Sequence, residues 1–560
     1  MQKVFGIDLG TTYSCIAYID DAGKPAVVKN AEGELTTPSV VFFDDGDSVE
    51  VGASAKENSK LYPEQVVSFI KRSIGKPNLE QIINGKKMSP AEISSYILKK
   101  VVNDAIENLR EEGKLNEDEE IKDVVITCPA YFGINERTAT KSAGEYAGLN
   151  VLQIINEPTA AAIAYGVADD SKEKTVLVYD LGGGTFDITM IHIKPGEIKV
   201  ICTSGDHNLG GKDWDDNLLV YLDDQFKTRT GIEESILDDP ETLQEVYLAA
   251  EKAKKLLTSK EKAPISINFK GEKVRIELTR DTFNSLTNDL LERTISLTKE
   301  VFKEAEKKGY KQSDVSEILL VGGSSRMPQV AKRVKEAFDI PTKMFDPDEA
   351  VAKGAAIFAN KTNQYNILLD EISQATGKSK DELKSDLSSG KTDMKALANE
   401  AHLDTSKRMF LGEADDIKIT NVSSRSFGTV AYNDKGEEKL FNMILKNDEL
   451  PKEAKESFFP YRDGQRNVKF LILESLTSNK ECDKSLGTEV GTVLLELPPN
   501  CTKKSQIDVI FKLNEDGLLE LKATEVSSNK TIEASFEVKD ALSEQEKSEA
   551  IRRVSNSNVI

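Results

Sequence analysis

Two segments of the chain have the residue types to do chemistry at a phosphate. Phe5-Gly6-Ile7-Asp8-Leu9-Gly10-Thr11-Thr12-Tyr13 and Val178-Tyr179-Asp180-Leu181-Gly182-Gly183-Gly184-Thr185-Phe186-Asp187 each run from an apolar strand into Asp-Leu-Gly and a turn of small residues. Glycine lets backbone N–H groups and hydroxyls come close to phosphate oxygens, and an aspartate at a strand end suits a hydrated Mg²⁺. One such tip is an ordinary turn signal. Two of them, 172 positions apart from Asp8 to Asp180, suggest related subdomains that face each other and hold a nucleotide's phosphates from both sides. A third glycine turn, Gly322-Gly323-Ser324-Ser325-Arg326, follows the strand Ile318-Leu319-Leu320-Val321, where a flat base could lie against backbone with Arg326 stacked on it. Other nucleotide motifs are excluded. The stretch from Gly205 to Lys212 is one residue too long for a P-loop and is followed by Asp213, and no G-x-G-x-x-G follows a strand.

The elements that must position these tips follow from periodicity. Up to about Ala359, β-branched strands alternate with long helical stretches, as in Lys122–Thr127 followed by Glu136–Gly148, which predicts a layered α/β architecture. From Asn360 to about Gly412 the sequence is polar with short helical pieces, read as a helical insert or linker. After Ile417 the period drops to two: Ile507, Val509, Phe511 and Leu513, then Leu519, Leu521 and Ala523, then Ile532, Ala534, Phe536 and Val538 alternate with polar residues. That pattern predicts an antiparallel β-sandwich. A last short stretch from Leu542 opens like a capped helix.

Composition narrows the function classes. The chain of 560 residues is 39% hydrophobic and 30% charged, so it folds, and its formal net charge of −21 opposes binding to a phosphate backbone. No window approaches a membrane span, and Met1–Asp8 acquires charge where a signal peptide stays apolar, so the chain reads as cytoplasmic without nucleic-acid or membrane partners. The five cysteines show no CxxC pair and read as reduced, packed thiols; the three histidines lie at no metal-ligand spacing.

The two tips, together with Ile155-Asn156-Glu157-Pro158-Thr159-Ala160-Ala161-Ala162 and Val321-Gly322-Gly323-Ser324-Ser325-Arg326-Met327-Pro328, make the chain resemble the seventy-kilodalton heat-shock chaperones of the DnaK type, a branch of the actin and sugar-kinase superfamily. The likeness is dense from Gly6 to Ala359 and collinear from Asp416 to about Asp540. It implies an actin-like, two-lobed ATPase domain built from duplicated ribonuclease-H-like subdomains and followed by a β-sandwich. The expected division is 1–360 for the ATPase, 361–415 for insert and linker, 416–540 for the peptide-binding sandwich and 541–560 for a short helical remnant of the lid. It further implies an ATP-dependent chaperone that binds extended apolar segments of unfolded proteins, with ATP or ADP, Mg²⁺ and K⁺ as cofactors and a J-domain protein and an exchange factor as partners. A small-molecule kinase is disfavoured by the downstream sandwich; a nucleotide-switched scaffold serving one dedicated partner is the alternative.

By the same resemblance Asp8 and Asp180 hold hydrated Mg²⁺, and with Thr185 and Asp187 nearby K⁺. Gly10, Thr11, Thr12 and Tyr13 with Gly182, Gly183 and Gly184 cradle the phosphates. Lys71 approaches the γ-phosphate, and Glu157, Asp180 and Thr185 surround the attacking water. The adenosine falls to Glu251, Lys254, Lys255, Thr258, Gly322, Gly323, Ser324, Arg326 and Asp348; Lys255 stands where many members carry a stacking arginine. Taken by spacing alone, Glu251 and Lys254 would be a solvated helical ion pair. Phe458, Val468 and Phe470 are expected at the peptide pocket with Phe427 nearby, and Ala431 and Tyr432 as the arch, although alternation alone would equally make them sandwich core.

Four departures modify the expectation. The linker Asp416-Ile417-Lys418-Ile419-Thr420-Asn421 carries a charge and ends in Asn, so its docking as an added strand should be weakened, and with it the relay through Pro129 and Arg137 to Ile417 and Ile419. The polar insert lengthens the tether. Gln153 stands where the family places an arginine for the J-domain, which puts that partner in doubt. Too little chain follows Asp540 for the family's full lid, which should speed peptide exchange.

Overall fold

The computed structural model describes residues 3–44, 48–76, 79, 81–168, 173–194, 197–388, 391–402, 418–433, 435–514, 517–536 and 544–560. Asp416 and Ile417 lie outside them.

Two sheets of like topology form the α/β half. In the first, strands run in the order Asn150–Asn156, Asp123–Cys128, Phe5–Asp8, Tyr13–Ile19, Pro25–Val27; in the second, Thr342–Met344, Val315–Val321, Lys174–Leu181, Phe186–Lys194, Glu197–Asp206. In each, the strand carrying the first aspartate pairs antiparallel with the next strand in sequence and parallel with a strand on its other side. The duplication read in the sequence is therefore a duplication of topology. The helices Glu157–Ala168 and Ala350–Thr376 lie between the sheets and share one apolar core with both. Their crossing needs glycine: a Cβ on Gly354 would stand 1.7 Å from the Ala160 carbonyl oxygen, and one on Gly6 2.1 Å from the Ala356 nitrogen. This contact brings the two tips face to face and sets Glu157, at the start of its helix, between them.

The helix Ala350–Thr376 runs through the expected boundary at 360, and its last turns pack with Lys380–Ser388 and Met394–Glu400 around Leu369, Ile372, Leu383 and Leu397. Part of the polar stretch thus has its own small core.

The sandwich pairs a sheet ordered Glu481–Cys482, Glu438–Ile444, Ser426–Tyr432, Asn467–Ser475, Gly487–Glu496 with one ordered Lys452–Phe458, Ile507–Leu513, Leu519–Glu525, Lys530–Phe536. Alternate residues such as Ile507, Val509, Phe511 and Leu513 fill the space between them, as the period of two requires.

Two segments outside the lobes add strands to their sheets. The linker is docked: Lys418–Thr420 joins the second lobe's sheet parallel to Glu197–Asp206, with Ile419 in register with Ile198 and packed against the interlobe core. The C-terminal segment, expected as a short helical remnant of the lid, is tied to the first lobe. Ala550 and Val554 of the helix Glu544–Asn556 enter that lobe's core, and Asn558–Val559 adds a parallel strand to Ser48–Val51. Arg553 donates to both oxygens of buried Glu92 at 2.7 and 2.8 Å, and Lys99 Nζ donates to three carbonyls at the end of the helix.

Candidate functional site: a phosphate cleft between the lobes

A cavity of about 730 Å³ opens between the lobes. Nearly every residue expected at the nucleotide lines it: Asp8, Gly10, Thr11, Thr12, Tyr13, Lys71, Glu157, Asp180, Gly182, Gly183 and Thr185 on the phosphate side, and Glu251, Lys254, Lys255, Thr258, Gly322, Gly323, Ser324, Arg326 and Asp348 on the other. Gly184 and Asp187 stand just behind the wall. The tips interlock without room for side chains, since a Cβ on Gly183 would meet Thr12 Oγ1 at 2.1 Å and one on Gly184 Thr11 Cγ2 at 2.3 Å.

At the floor, Lys71 Nζ lies 2.5 Å from Glu157 Oε1, both buried. Phe69, held at φ 60°, turns the chain into the short helix Ile70–Ser73 that points Lys71 inward, so Lys71 is no surface lysine. Burial, with Glu157 adding to it, pushes the Asp8 carboxyl up to about 7 and raises Asp180 and Asp187 well above the usual carboxylate range. Burial works against the Lys71 ammonium, but Glu157 and Asp8 outweigh it and hold its pKa above normal. Thr127 donates to Asp8 at 3.1 Å and the Ala130 N–H to Asp187 Oδ1 at 2.9 Å, while Asp187 Oδ2 is buried with no partner. Four carboxyl groups around one ammonium, with one oxygen unsatisfied, are a donor set suited to cations. Among the described residues no group of three or more His, Cys, Asp or Glu is placed to hold an ion by itself.

The far side of the cavity, around Glu251, departs from the simple helical pairing. Glu251 joins Lys56 at 2.5 Å and Lys255 at 2.9 Å, and these two cations overcome burial to hold its carboxyl down at about 2. Lys254 turns instead to Asp215 at 2.6 Å. Lys255 also donates to Tyr13 Oη at 2.6 Å, and Arg326 donates to Asp348 at 2.5 Å through one nitrogen while half its side chain stays exposed. Sequence reasoning missed three residues that bridge the lobes. Lys56 reaches Glu251, and Arg72 grips Asp213 while its Nε donates to the Gly184 carbonyl at 2.9 Å. Only the adjacency of Arg72 to Lys71, and of Asp213 to the glycine-rich run before it, hinted at them.

Of the relay residues, Pro129 is buried and Arg137 donates to the Phe132 carbonyl and to Asn156. Arg137, Gln153 and Ile419 line a second cavity of about 900 Å³ between lobes, linker, insert and sandwich. In the sandwich, Phe427 and Phe470 are 2% and 3% exposed and belong to the core, with Phe427 on the interdomain side, so neither offers an open pocket. Phe458 and Val468 are half-buried against that core. Ala431 is half-buried, and Tyr432 is exposed and meets Tyr461, a residue not anticipated, with ring centroids 4.6 Å apart.

Fold and cleft together define a two-lobed nucleotide-binding ATPase joined to a β-sandwich. The model of the family described as Hsp70 protein matches residues 4–373 and 396–558. The chain is 37% identical over 538 residues to the chaperone protein DnaK of Thermotoga maritima, covering 94% of this chain and 79% of that one. It is 34% identical over 553 residues to DnaK of Halobacterium salinarum, covering 97% and 76%. The chain belongs to the Hsp70 family, and so to the ATP-dependent molecular chaperones that hydrolyse ATP and bind unfolded substrates. Among the described residues no helix is long and apolar enough to cross a membrane.

Proposed function

We propose that the cleft binds ATP with Mg²⁺ and K⁺ and hydrolyses it slowly, and that the nucleotide sets the sandwich's affinity for extended apolar peptides in the cytoplasm. The observation that carries this is the surplus of buried carboxyl groups around Lys71, opening on two glycine tips. Asp8 and Asp180 would hold Mg²⁺ through water, with Thr185 and Asp187 at K⁺; bound there, the cations neutralise charge on the transferring phosphoryl group. Gly10, Thr11, Thr12, Tyr13 and Gly182, Gly183, Gly184 supply donors to the phosphates. Glu157, with Asp180 and Thr185, orients water, and Lys71 faces the γ-phosphate. Such transfer needs positioning and charge neutralisation and no covalent nucleophile. Glu251, Lys254, Lys255, Thr258 and the Gly322–Arg326 turn with Asp348 would hold the adenosine.

On the sandwich, Ala431 and Tyr432 would arch over an extended chain, with Tyr461 packed against Tyr432 at 4.6 Å between ring centroids, and Phe458 and Val468 would line the rim below by strand-like recognition. Pro129, Arg137 and the linker strand would carry the nucleotide state across. A J-domain protein, if it acts here, does so without an arginine at position 153, and an exchange factor would act on the cleft. Peptide affinity measured with ATP and with ADP, beside ATP turnover in K⁺ and in Na⁺, tests this. Equal affinities, or turnover no greater than that of Lys71→Ala, would refute it.

A further inference from the structure

Three parts of the fold meet at Gly133. The helix Ile134–Tyr146 of the first lobe brings Glu136, the turn after Glu197–Asp206 of the second lobe brings His207, and the sandwich brings Arg425 and Glu474. Glu474 is 6% and Arg425 8% exposed. Both Glu474 oxygens and Glu136 Oε2 lie 2.6, 2.7 and 3.0 Å from the place a Cβ on Gly133 would occupy, so the two carboxyl groups crowd around the one residue without a side chain. The Ile134 N–H donates to Glu474. Arg425 Nη2 lies 3.9 Å from Glu136 Oε1 and donates to His207 Nε2 at 3.0 Å. Glu136 Oε2, Glu474 Oε2 and Arg425 Nε have no hydrogen-bond partner.

The hydrogen-bond chemistry constrains the protons. A ring nitrogen that accepts from a guanidinium carries no hydrogen, so His207 is neutral in the docked arrangement. Two ionised carboxylates beside one guanidinium would bury net negative charge, which is costly; a proton on Glu474 removes it and supplies a donor where acceptors are unpartnered. We infer that docking of the sandwich on the ATPase lobes is coupled to a proton exchange within the interface, in which His207 releases a proton to solvent and Glu474 takes one up.

The groups facing each partner support the directions. Burial, then Arg425 and Lys76, lower His207 from 6.5 to about 3, with the Tyr131 and Phe132 rings against it. Burial, with Glu136 adding and Arg425 opposing, raises Glu474 from 4.5 to about 7. A carboxyl raised on docking favours the docked state at low pH, and the gain is lost as pH rises from 4.5 through about 7. An imidazole lowered on docking favours it at high pH, and the gain is lost as pH falls below 6.5. Between 4.5 and 6.5 the two slopes oppose each other, so docking in the intact protein is buffered against pH although each group alone would make it steeply dependent.

The test uses the full chain with Cys482→Ser, leaving the four buried cysteines unlabelled, and dyes on Lys311→Cys and Lys503→Cys, both exposed. Docked and undocked populations are counted by single-molecule energy transfer with ATP, in enough urea to populate both. From pH 8.0 to 5.5 the parent docking constant should change by under about 3-fold, His207→Asn should strengthen docking about 30-fold, Glu474→Gln should weaken it about 10-fold, and the double variant should be flat. Single variants as flat as the parent, or sloping the same way, would overturn the inference. Should Glu474→Gln not melt cooperatively, Glu136→Gln replaces it: easing the repulsion lets Glu474 stay ionised, which gives the same slope in smaller measure, and its absence would equally overturn the inference. The readout is domain position, so it stands apart from peptide binding and hydrolysis.

Discussion

The nucleotide cleft and the contact at Gly133 both bury more carboxyl groups than cations, and they settle the imbalance differently. In the cleft, Asp8, Asp180, Asp187 and Glu157 surround Lys71 beside an open cavity, so a cation and a phosphate have room to enter and complete the charge. At Gly133 the carboxyl groups of Glu136 and Glu474 face each other within the interdomain contact, and the charge is removed by protonation and one guanidinium. A third buried carboxylate, Glu92, is 1% exposed and is met by a bidentate arginine from the C-terminal helix. What separates the three is access: a site beside a cavity can take in a cation to balance its carboxyl groups, and a closed one must balance itself.

The comparison breaks most sharply at Lys71. Lys71→Ala should lower single-turnover hydrolysis by roughly 10³-fold, about 4 kcal/mol of transition-state stabilisation, with ATP binding largely kept. Comparable loss of binding and of turnover would mean that the lysine only anchors substrate. Arg553→Ala should leave Glu92 buried without its partner and cost about 2 kcal/mol locally, discounted because the guanidinium is partly exposed. Faster amide exchange confined to Val40–Phe43 and Ser48–Val51 would show it; unchanged protection there would mean that the C-terminal segment is not held by this pair. Ile419→Asp places a charge between the linker strand and the interlobe core and should weaken docking by about 1.5 kcal/mol. The ATP-induced change in peptide affinity should then shrink, and full coupling in the variant would detach the relay from the linker. The smallest effect is expected at Lys199→Ala. Its pair with Glu449 at 2.7 Å crosses the same interface but is largely exposed, so docking should change by under about 0.5 kcal/mol. A larger loss would show that rim charge, not the buried cluster, holds the domains.

The sequence by itself determined the cradle and the strands. Asp-Leu-Gly tips and the Gly322-Gly323 turn are legible because close approach and a left-handed backbone, such as φ 79° at Gly322, are demands on single residues. The sandwich strands are legible because a period of two is local. Partner choice was decided only in three dimensions. Lys56 and Glu251 are 195 positions apart, Arg72 and Asp213 141, and nothing near either member names the other. Alternation placed Phe427 and Phe470 on one face of their strands, but whether that face meets a groove or the opposite sheet depends on the packing of the second layer, which closed over both. That the linker adds a strand beside Glu197–Asp206 depends on the edge the second lobe's sheet presents, which no residue of the linker announces. His207, Arg425, Glu136 and Glu474 each look like ordinary surface residues in the sequence, and only the meeting of three separately folded parts buries Arg425 and Glu474 against half-buried His207 and Glu136 and makes their protons matter.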